Sequence, residues 1–240
     1  MSEIKLINLT KRYKDKTVVD NLNFSIKEGE LFSLLGVNGA GKTTTIKMLT
    51  CLIKPTSGDA SVLGKSIITE SEQIKQFIGI SPQESAVAPN LTVRENLEFV
   101  SEIYTENKIK AKEEARKMIE KFGMGDYAKY KAKTLSGGWQ RRLSLAMALA
   151  GNPKILFLDE PTLGLDVLAR RELWKIINEL KGKTTILLTT HYMEEAESLS
   201  DRMAIMVNGL VKAIGTPQEI KTMAGTQNIE DAFVKIVEGA

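Results

Sequence analysis

Short apolar runs and amphipathic stretches alternate along the chain, and its first part reads mainly as strands. Apolar and polar positions alternate over residues 4–9 and 17–26, which predicts two strands with one buried face each. Leu31–Leu35 is a continuous apolar run, as expected of a buried strand. A glycine-rich loop follows, a helix is predicted over about residues 42–52, and the Pro-Thr-Ser-Gly segment at residues 55–58 interrupts the chain again.

The middle of the chain changes to a helical pattern. Asn90 and Thr92 are suited to cap a first helix that runs through Tyr104. A charged second helix is expected over about residues 110–122, and a third begins near Ser136. The pattern predicts no strand between these helices. We therefore expect an inserted helical subdomain over about residues 84–150.

Strands and helices alternate once more after this stretch, which predicts a mostly parallel sheet and an α/β fold class. The dipeptide Asn208-Gly209 is a strong signal for the turn of a β-hairpin. The tail is expected to form two short helices. The predicted elements are strands at residues 155–158, 184–189, 203–207 and 210–214, helices at residues 167–180 and 192–199, and a helical tail at residues 217–240.

Composition narrows the choice of function. The chain has 33 Lys plus Arg and 30 Asp plus Glu, and a net charge of +3 is too small to indicate nucleic acid as a partner. The single cysteine, Cys51, lies in an apolar segment and is expected to be a small buried side chain. The first residues lack the apolar core of a signal peptide, and no apolar run approaches the length of a membrane span. We expect a cytoplasmic chain.

A phosphate-binding motif follows the apolar strand. The sequence Gly-Val-Asn-Gly-Ala-Gly-Lys-Thr at residues 36–43 fits the pattern G-x-x-x-x-G-K-T, whose glycines let backbone amides point at phosphate oxygens. Lys42 is expected to reach the β- and γ-phosphates, and the Thr43 hydroxyl is expected to bind Mg²⁺. A chance match is the alternative, but the preceding strand and the following helix argue against it. The residues predicted to bind the nucleotide here are Asn38, Gly39, Ala40, Gly41, Lys42, Thr43 and Thr44.

Two adjacent acids follow the strand at residues 155–158. Ligands of open α/β sheets bind at the carboxyl ends of strands, so Asp159 is expected to hold Mg²⁺ and Glu160 to polarise the attacking water. Solvated acids at the end of a strand are the alternative when the pair is taken alone. The phosphate-binding motif reverses that preference, because a nucleotide site needs an acidic partner for its metal.

The segment Leu-Ser-Gly-Gly-Trp-Gln-Arg-Arg at residues 135–142 decides the family. Two glycines at a helix start leave the backbone amides bare for an anion, although Ser136 could simply cap the helix. The segment resembles the signature of ATP-binding-cassette (ABC) proteins, and the resemblance covers about residues 4–217. It implies a P-loop NTPase core with a mostly parallel sheet, an N-terminal antiparallel β-subdomain and an inserted helical subdomain. An ABC ATPase domain would occupy residues 1–216, with a short tail at 217–240.

The same resemblance implies roles for side chains that would be unremarkable alone. Tyr13 resembles the aromatic residue that stacks on adenine, although an ordinary surface tyrosine is the alternative. Gln83 resembles the glutamine that binds the metal and couples to the membrane partner. Asp166, in Gly-Leu-Asp, resembles the loop that crosses between two subunits. His191, the only histidine, resembles the switch residue that contacts the γ-phosphate and would act in catalysis with Glu160.

The signature and its neighbours also depart from the family pattern. Trp139 stands where glutamine is common, and a contact made by that glutamine is therefore in doubt. Val37 replaces a frequent proline but keeps its amide. Gly164 replaces a common alanine, a change between two small residues.

The family resemblance implies a head-to-tail homodimer in the ATP-bound state. ATP on Lys42 of one subunit would be covered by Ser136, Gly137 and Gly138 of the other, with ATP and Mg²⁺ as the ligands. A separate multi-spanning permease would be the partner at the cytoplasmic face of the membrane, and the short tail resembles that of the drug- and antibiotic-export branch. The alternatives are a soluble family member, such as an iron–sulfur assembly factor, and a phosphate-loop kinase.

Overall fold

The computed structural model describes residues 2–105 and 107–239, which form two compact units. The first unit combines the chain up to Lys75 with the chain from Lys181 onward, and the second is Gln76–Leu180. The first unit contains β1 (Ser2–Tyr13), β2 (Lys16–Lys27), β3 (Leu31–Leu35), α1 (Lys42–Leu49), β4 (Ser57–Val62), β5 (Lys65–Ser66), α2 (Ser71–Lys75), β8 (Thr185–Thr190), α7 (Met193–Leu199), β9 (Arg202–Val207), β10 (Leu210–Gly215), α8 (Pro217–Ala224) and α9 (Ile229–Glu238). The elements are numbered along the whole chain, and those between α2 and β8 belong to the second unit.

Two sets of strands organise the first unit. The antiparallel sheet has the order β2-β1-β4-β5 and places Ile4 opposite Ile26. In the other set β3 pairs in parallel with β8 and with β9, and β10 joins β9 in an antiparallel hairpin. Every side chain of β3 is buried, which explains its unbroken apolar sequence.

The tail packs onto the core of the first unit. Ile220 of α8 and Phe233 of α9 belong to the same buried cluster as Leu35 and Ile205. Thr216 and Glu219 form a reciprocal capping box at the start of α8, which fixes where the tail turns into a helix. The separate boundary at residue 217 stays a prediction.

The second unit is mostly helical and contains one parallel pair of strands, β6 (Ile78–Ser81) with β7 (Ile155–Asp159). A Cβ added to Gly79 of β6 would lie 2.1 Å from the Ala148 carbonyl oxygen, so glycine lets the helix α5 (Gly137–Leu149) approach this strand closely. The predicted helical subdomain, residues 84–150, lies inside this unit, and its limits stay a prediction. The elements of the second unit are β6 (Ile78–Ser81), α3 (Val93–Thr105), α4 (Lys108–Lys121), a 3₁₀ turn (Ala132–Thr134), α5 (Gly137–Leu149), β7 (Ile155–Asp159) and α6 (Val167–Leu180).

The structure confirms the predicted fold class, with its mostly parallel strand pairs, its N-terminal antiparallel sheet and its helical middle. The pattern missed β4, β5, β6 and α2, because these elements are short. Pairing decides these strands more than their own sequences do: β4 pairs with β1, β5 with β4, and β6 with β7. α1 ends at Leu49, earlier than expected, and Cys51 beyond it is half-buried rather than fully buried. Partial burial still raises the pKa of its thiol.

Candidate functional site

The phosphate-binding motif forms a tight loop between β3 and α1 in the first unit. Gly39 and Gly41 have φ values of 82° and 106°, a region that side-chain-bearing residues rarely adopt. A Cβ added to Gly41 would lie 2.5 Å from the Val18 carbonyl oxygen, and one added to Gly36 would lie 2.4 Å from that of Met206. Glycine is therefore required at Gly36 and Gly41 for packing inside this chain as well as for backbone shape.

The turn between β9 and β10 contacts the loop directly, and β2 contacts that turn. The Gly209 amide donates to the Ala40 carbonyl oxygen at 2.9 Å, and the Asp20 amide donates to the Gly209 carbonyl oxygen at 2.9 Å. The sequence predicted Asn208-Gly209 only as a hairpin turn. Its second role, as a support for the loop, depends on a tertiary contact that no local pattern signals.

The start of α1 has features that favour an anion. Gly41 precedes the helix without a side-chain cap, and the described first turn contains no acidic residue. The buried Lys42 ammonium donates to the Gly36 carbonyl oxygen at 2.7 Å and to that of Val37 at 3.2 Å. These bonds hold the ammonium against the first residues of the loop. Asn38 and Gly39 are exposed, Ala40 is buried, and Thr43 and Thr44 are half-buried.

His191 lies beside the beginning of this loop. The Gly36 amide donates to the carbonyl oxygen of Thr190 at 3.2 Å, so the loop is bonded to the residue before the histidine. The half-buried His191 ring lies 4.1 Å from the ring of Tyr192. The first unit thus brings the phosphate-binding loop and His191 together.

Tyr13 ends β1 and is exposed. The Lys11 ammonium lies 5.0 Å from the centre of the Tyr13 ring and donates to the Lys54 carbonyl oxygen at 2.7 Å. A cation against an aromatic ring is attractive, so this contact holds the ring in place. An exposed and positioned ring suits stacking on a base, which stays a prediction.

In the second unit, β7 ends in the predicted acidic pair. Asp159 and Glu160 are both buried, and Glu160 is only 4% exposed. Glu160 has a φ of 50°, in the left-handed region that is costly for a residue with a side chain. Backbone strain of this kind at a buried acid is typical of functional sites, and the alternative of solvated acids at a strand end is wrong.

Arg141 is a residue of the site that sequence reasoning missed. Its buried guanidinium donates to the carbonyl oxygens of Pro82 and Gln83 at 2.7 Å each, and to that of Glu160 at 3.1 Å. The side chain of one α5 residue therefore ties the loop after β6 to the residue after β7. The available signal was an arginine on the apolar face of a predicted helix, since such a charge needs several buried partners.

The signature opens α5 with bare amides. Ser136 precedes the helix, but its exposed side chain makes no capping bond in the described structure, so the capping interpretation is wrong. The described first turn also has no acidic residue. A Cβ on Gly138 would lie 3.3 Å from the Cβ of Ala169, whereas one on Gly137 would have no described atom within 4 Å. Packing in this chain therefore does not explain glycine at residue 137.

A recess of about 460 Å³ lies between the starts of α5 and α6. Asp166 lines it and accepts hydrogen bonds at 2.9 Å from the amides of Leu168 and Ala169, so this carboxylate caps α6. The recess is lined by Ser136, Gly137, Gly138, Trp139, Arg142, Gly164, Leu165, Asp166, Leu168, Ala169, Glu172 and Leu173.

The predicted metal ligands supply only oxygen atoms, namely the Thr43 hydroxyl, the Gln83 amide and the Asp159 carboxylate. Oxygen donors suit Mg²⁺, which in nucleotide sites takes few protein ligands and completes its shell with phosphates and water. Among the described residues no three His, Cys, Asp or Glu side chains cluster as a metal cage. The donor chemistry fits a metal that arrives with a nucleotide.

The comparisons agree with this geometry. The family model described as "ABC transporter" matches residues 19–163, more than half of the chain. The chain belongs to the ABC transporter family. It is 40% identical over 240 residues to the probable multidrug ABC transporter ATP-binding protein YbhF of Escherichia coli. This alignment covers 98% of this chain and 41% of YbhF. It is 42% identical to the linearmycin resistance ATP-binding protein LnrL of Bacillus subtilis, covering 92% of this chain and 72% of LnrL.

Solved structures give the same family. The structure of an ATP binding subunit of an ABC transporter matches with a TM-score of 0.87 at 28% identity, covering 98% of this cassette and 99% of that chain. The dimeric post-hydrolysis state of the cassette MJ0796, bound to ADP and Pi, matches with a TM-score of 0.82 at 29% identity, covering 89% and 98%. The predicted family and fold class are confirmed.

Proposed function

We propose that this cassette binds and hydrolyses MgATP as a dimer and drives export through a separate membrane subunit. One observation carries the proposal: glycine directly precedes α1 (Gly41) and begins α5 (Gly137), and neither helix has a side-chain cap or an acid in its described first turn. Only α1 has a lysine there. The start of α1 forms a complete anion site, whereas the start of α5 lacks a cation. In a dimer, one nucleotide held by α1 of one copy could therefore also contact α5 of the other copy.

ATP binds at the loop before α1. The loop amides and the α1 N-terminus hold the phosphates, Lys42 neutralises the terminal ones, and Tyr13 stacks on the base. Thr43, Gln83 and Asp159 would hold Mg²⁺, which when bound neutralises charge on the β- and γ-phosphates. Support comes from the buried ammonium of Lys42 and from the oxygen-only donor set.

Glu160 is the residue that activates water. Its carboxylate accepts a proton as the water oxygen attacks the γ-phosphorus and the bond to the bridging oxygen of ADP breaks, which yields ADP and phosphate. His191 contacts the γ-phosphate. The burial and strained backbone of Glu160, and the hydrogen bond from Arg141 to its carbonyl oxygen, support this assignment.

The second copy closes the site with its signature. Glycine at residue 137 has a conformational cost and no packing benefit within the chain, but its bare amide and open space suit an approaching phosphate. The dimeric structures of the related cassette MJ0796 support this arrangement. The two copies are identical in this proposal, because one chain carries every part of the site.

The membrane subunit docks on α3 of the helical middle. Phe99 and Ile103, one helical turn apart, are 59% and 63% exposed and form an apolar stripe. No helix among the described residues combines the length and hydrophobicity needed to cross a bilayer. The names of YbhF and LnrL, a multidrug transporter protein and a resistance protein, favour an exporter over a soluble family member. The cassette then works at the cytoplasmic face of the membrane.

Replacing Glu160 by Gln tests the catalytic proposal. Glu160→Gln should bind MgATP, lose turnover by about a hundredfold or more because the proton acceptor is gone, and accumulate as a dimer. ATPase assays and analytical ultracentrifugation measure both effects. Glu179→Gln, an exposed position on α6, is the matched control and should turn over normally. Normal turnover in Glu160→Gln would contradict the assignment.

Copurification from detergent-solubilised membranes tests the partner. The tagged wild-type cassette should retain a multi-spanning membrane protein, and the double variant Phe99→Ser, Ile103→Ser should lose it while keeping its ATPase activity. Ile109→Ser, at an exposed position on α4, should behave as wild type. A set of purely soluble partners would instead favour the soluble branch of the family.

A further inference from the structure

The first turn of α5 is intrinsically weak. It begins with Gly137 and Gly138, residues that lose more conformational entropy on forming a helix than any others, and Ser136 adds no capping bond in the described structure. These same amides are the ones that the proposed dimer needs in a fixed position. The first side chain of the helix that can hold the turn is Trp139.

Two side chains of the same chain, Tyr127 and Arg142, contact the Trp139 ring. Its ring centre lies 4.3 Å from that of Tyr127, in the segment between α4 and α5, with the two planes tilted by 40°. The Arg142 guanidinium, one helical turn further along α5, lies 4.4 Å from the centre of the Trp139 ring. Aromatic pairs and cation–π contacts of this geometry are both attractive.

Arg142 carries the contact onward to two other helices. Its guanidinium donates to the carbonyl oxygen of Phe122, at the end of α4, at 3.2 Å. It also forms an ion pair with Glu172 of α6. The start of α5 is thereby linked to the end of α4, to the Tyr127 segment and to α6 through two side chains.

We propose that Trp139 and Arg142 are positioning residues, which hold the glycine amides of the signature ready for the nucleotide of the second copy. The inference rests on the ATP-bound dimer proposed above. Holding the amides in place before association removes an ordering cost that dimerisation would otherwise bear. Trp139, which lines the recess, thus acts by packing on Tyr127 and Arg142, and a glutamine could form neither contact.

The test uses the full chain in a Glu160→Gln background, where MgATP should hold the dimer. Trp139→Leu and Trp139→Gln should each weaken the dimer by about tenfold, the order expected for losing an aromatic and a cation–π contact. ATP affinity of the monomer should not change, because the ATP loop precedes α1. Trp139→Phe, which can still pack on Tyr127, should recover most of the loss. Sedimentation equilibrium measures the dimer, and a fluorescent ATP analogue measures monomer binding.

Two further variants make the result specific. Tyr130→Ala removes an exposed ring that lies 5.9 Å from Tyr127, and it should leave dimerisation unchanged. Tyr127→Leu combined with Trp139→Leu should cost little more than Trp139→Leu alone, since the Trp139 change already removes the contact between the two rings.

The outcomes separate this inference from the proposed function. Full dimerisation of Trp139→Gln or Trp139→Leu would overturn the positioning role while leaving the dimer intact. Tighter dimerisation of Trp139→Gln than of its parent would show that residue 139 acts by contacting the nucleotide and would overturn the inference as well. Failure of the Glu160→Gln parent to dimerise with MgATP would overturn the dimer itself and, with it, this role for Trp139.

Discussion

The starts of α1 and α5 have the same local design and different surroundings. Glycine precedes α1 and begins α5, and neither helix has a side-chain cap or an acid in its described first turn. The loop before α1 is supported by Val18, Met206 and Gly209 and holds the ammonium of Lys42. At α5, Gly137 faces open space and no lysine stands in the first turn. A loop that is supported by neighbouring strands and carries its own cation can bind phosphate without a partner. An uncapped helix start without a cation can only add contacts to a phosphate that is already bound elsewhere.

Removing the cation at α1 should have the largest effect on this contrast. Lys42→Ala should weaken ATP binding by about a hundredfold, because a buried charge-assisted contact to the phosphates is lost. Titration with a fluorescent ATP analogue measures the change. Lys47→Ala, at an exposed position in the last turn of the same helix, is the control and should bind normally. Unchanged affinity in Lys42→Ala would remove the basis for treating α1 as the complete site.

Filling the open space at α5 should have a smaller and more selective effect. Gly137→Ala adds a methyl group that meets no described atom of this chain, so the monomer should be as stable as wild type or up to about 1 kcal/mol more stable. The MgATP-dependent dimer should weaken by roughly tenfold or more, since the methyl group occupies the approach to the amide. Thermal unfolding and sedimentation of the Glu160→Gln background separate the two effects.

Gly125→Ala is the matched control for that substitution. Gly125 also has no described atom within 4 Å of an added Cβ, but it lies in the segment between α4 and α5 rather than in the signature. It should leave dimerisation unchanged. Equal loss in both variants would mean that glycine flexibility, not the open amide, matters at residue 137.

The two helix starts also show which parts of the candidate site can be predicted from the sequence. The residues proposed to meet the phosphate were predictable, because the glycines stand beside Lys42, the two acids directly follow one apolar strand, and the chemistry of each group is local. The residues that support them were not. Arg141 reaches Gln83 and Glu160 across 58 and 19 positions, and Met206 meets Gly36 only in the folded chain.

The same limit applied to short strands. β4 and β6 were not predicted, since six and four residues carry too little pattern to show a period. Pairing with β1 and β7 decides their conformation. Trp139 was seen as a departure from the family pattern. Its contacts with Tyr127 and Arg142 became visible only in three dimensions.

The start of α3 is the opposite case, a helix end closed by its own side chains. The Thr92 amide and hydroxyl donate to the Glu95 carboxylate at 2.7 and 2.9 Å, and the Glu95 amide donates back to the Thr92 hydroxyl at 3.1 Å. These bonds, first that from the amide and then that from the hydroxyl, hold the pKa of Glu95 below its ordinary value of 4.5, with a smaller contribution from Lys131. The amides of Val93 and Arg94 donate to the carbonyl oxygens of Tyr130 and Ala128, so none of the described amides at this helix start is left for a ligand.

The lowered pKa of Glu95 therefore predicts a small pH dependence of stability at the start of α3, which the starts of α1 and α5 should not share. Because the folded pKa is lowered, the stabilisation is complete above pH 4.5 and is lost as the pH falls through the folded pKa. Carboxyl-resolved NMR should find Glu95 titrating below 4.5 in wild type and closer to 4.5 in Thr92→Ala, which keeps the amide bond but loses the hydroxyl bond. Thr92→Ser should restore the wild-type value. A wild-type Glu95 that titrates at its ordinary pKa would mean that this helix start is as open in solution as those of α1 and α5, and that capping does not separate the ligand-binding helices from the rest.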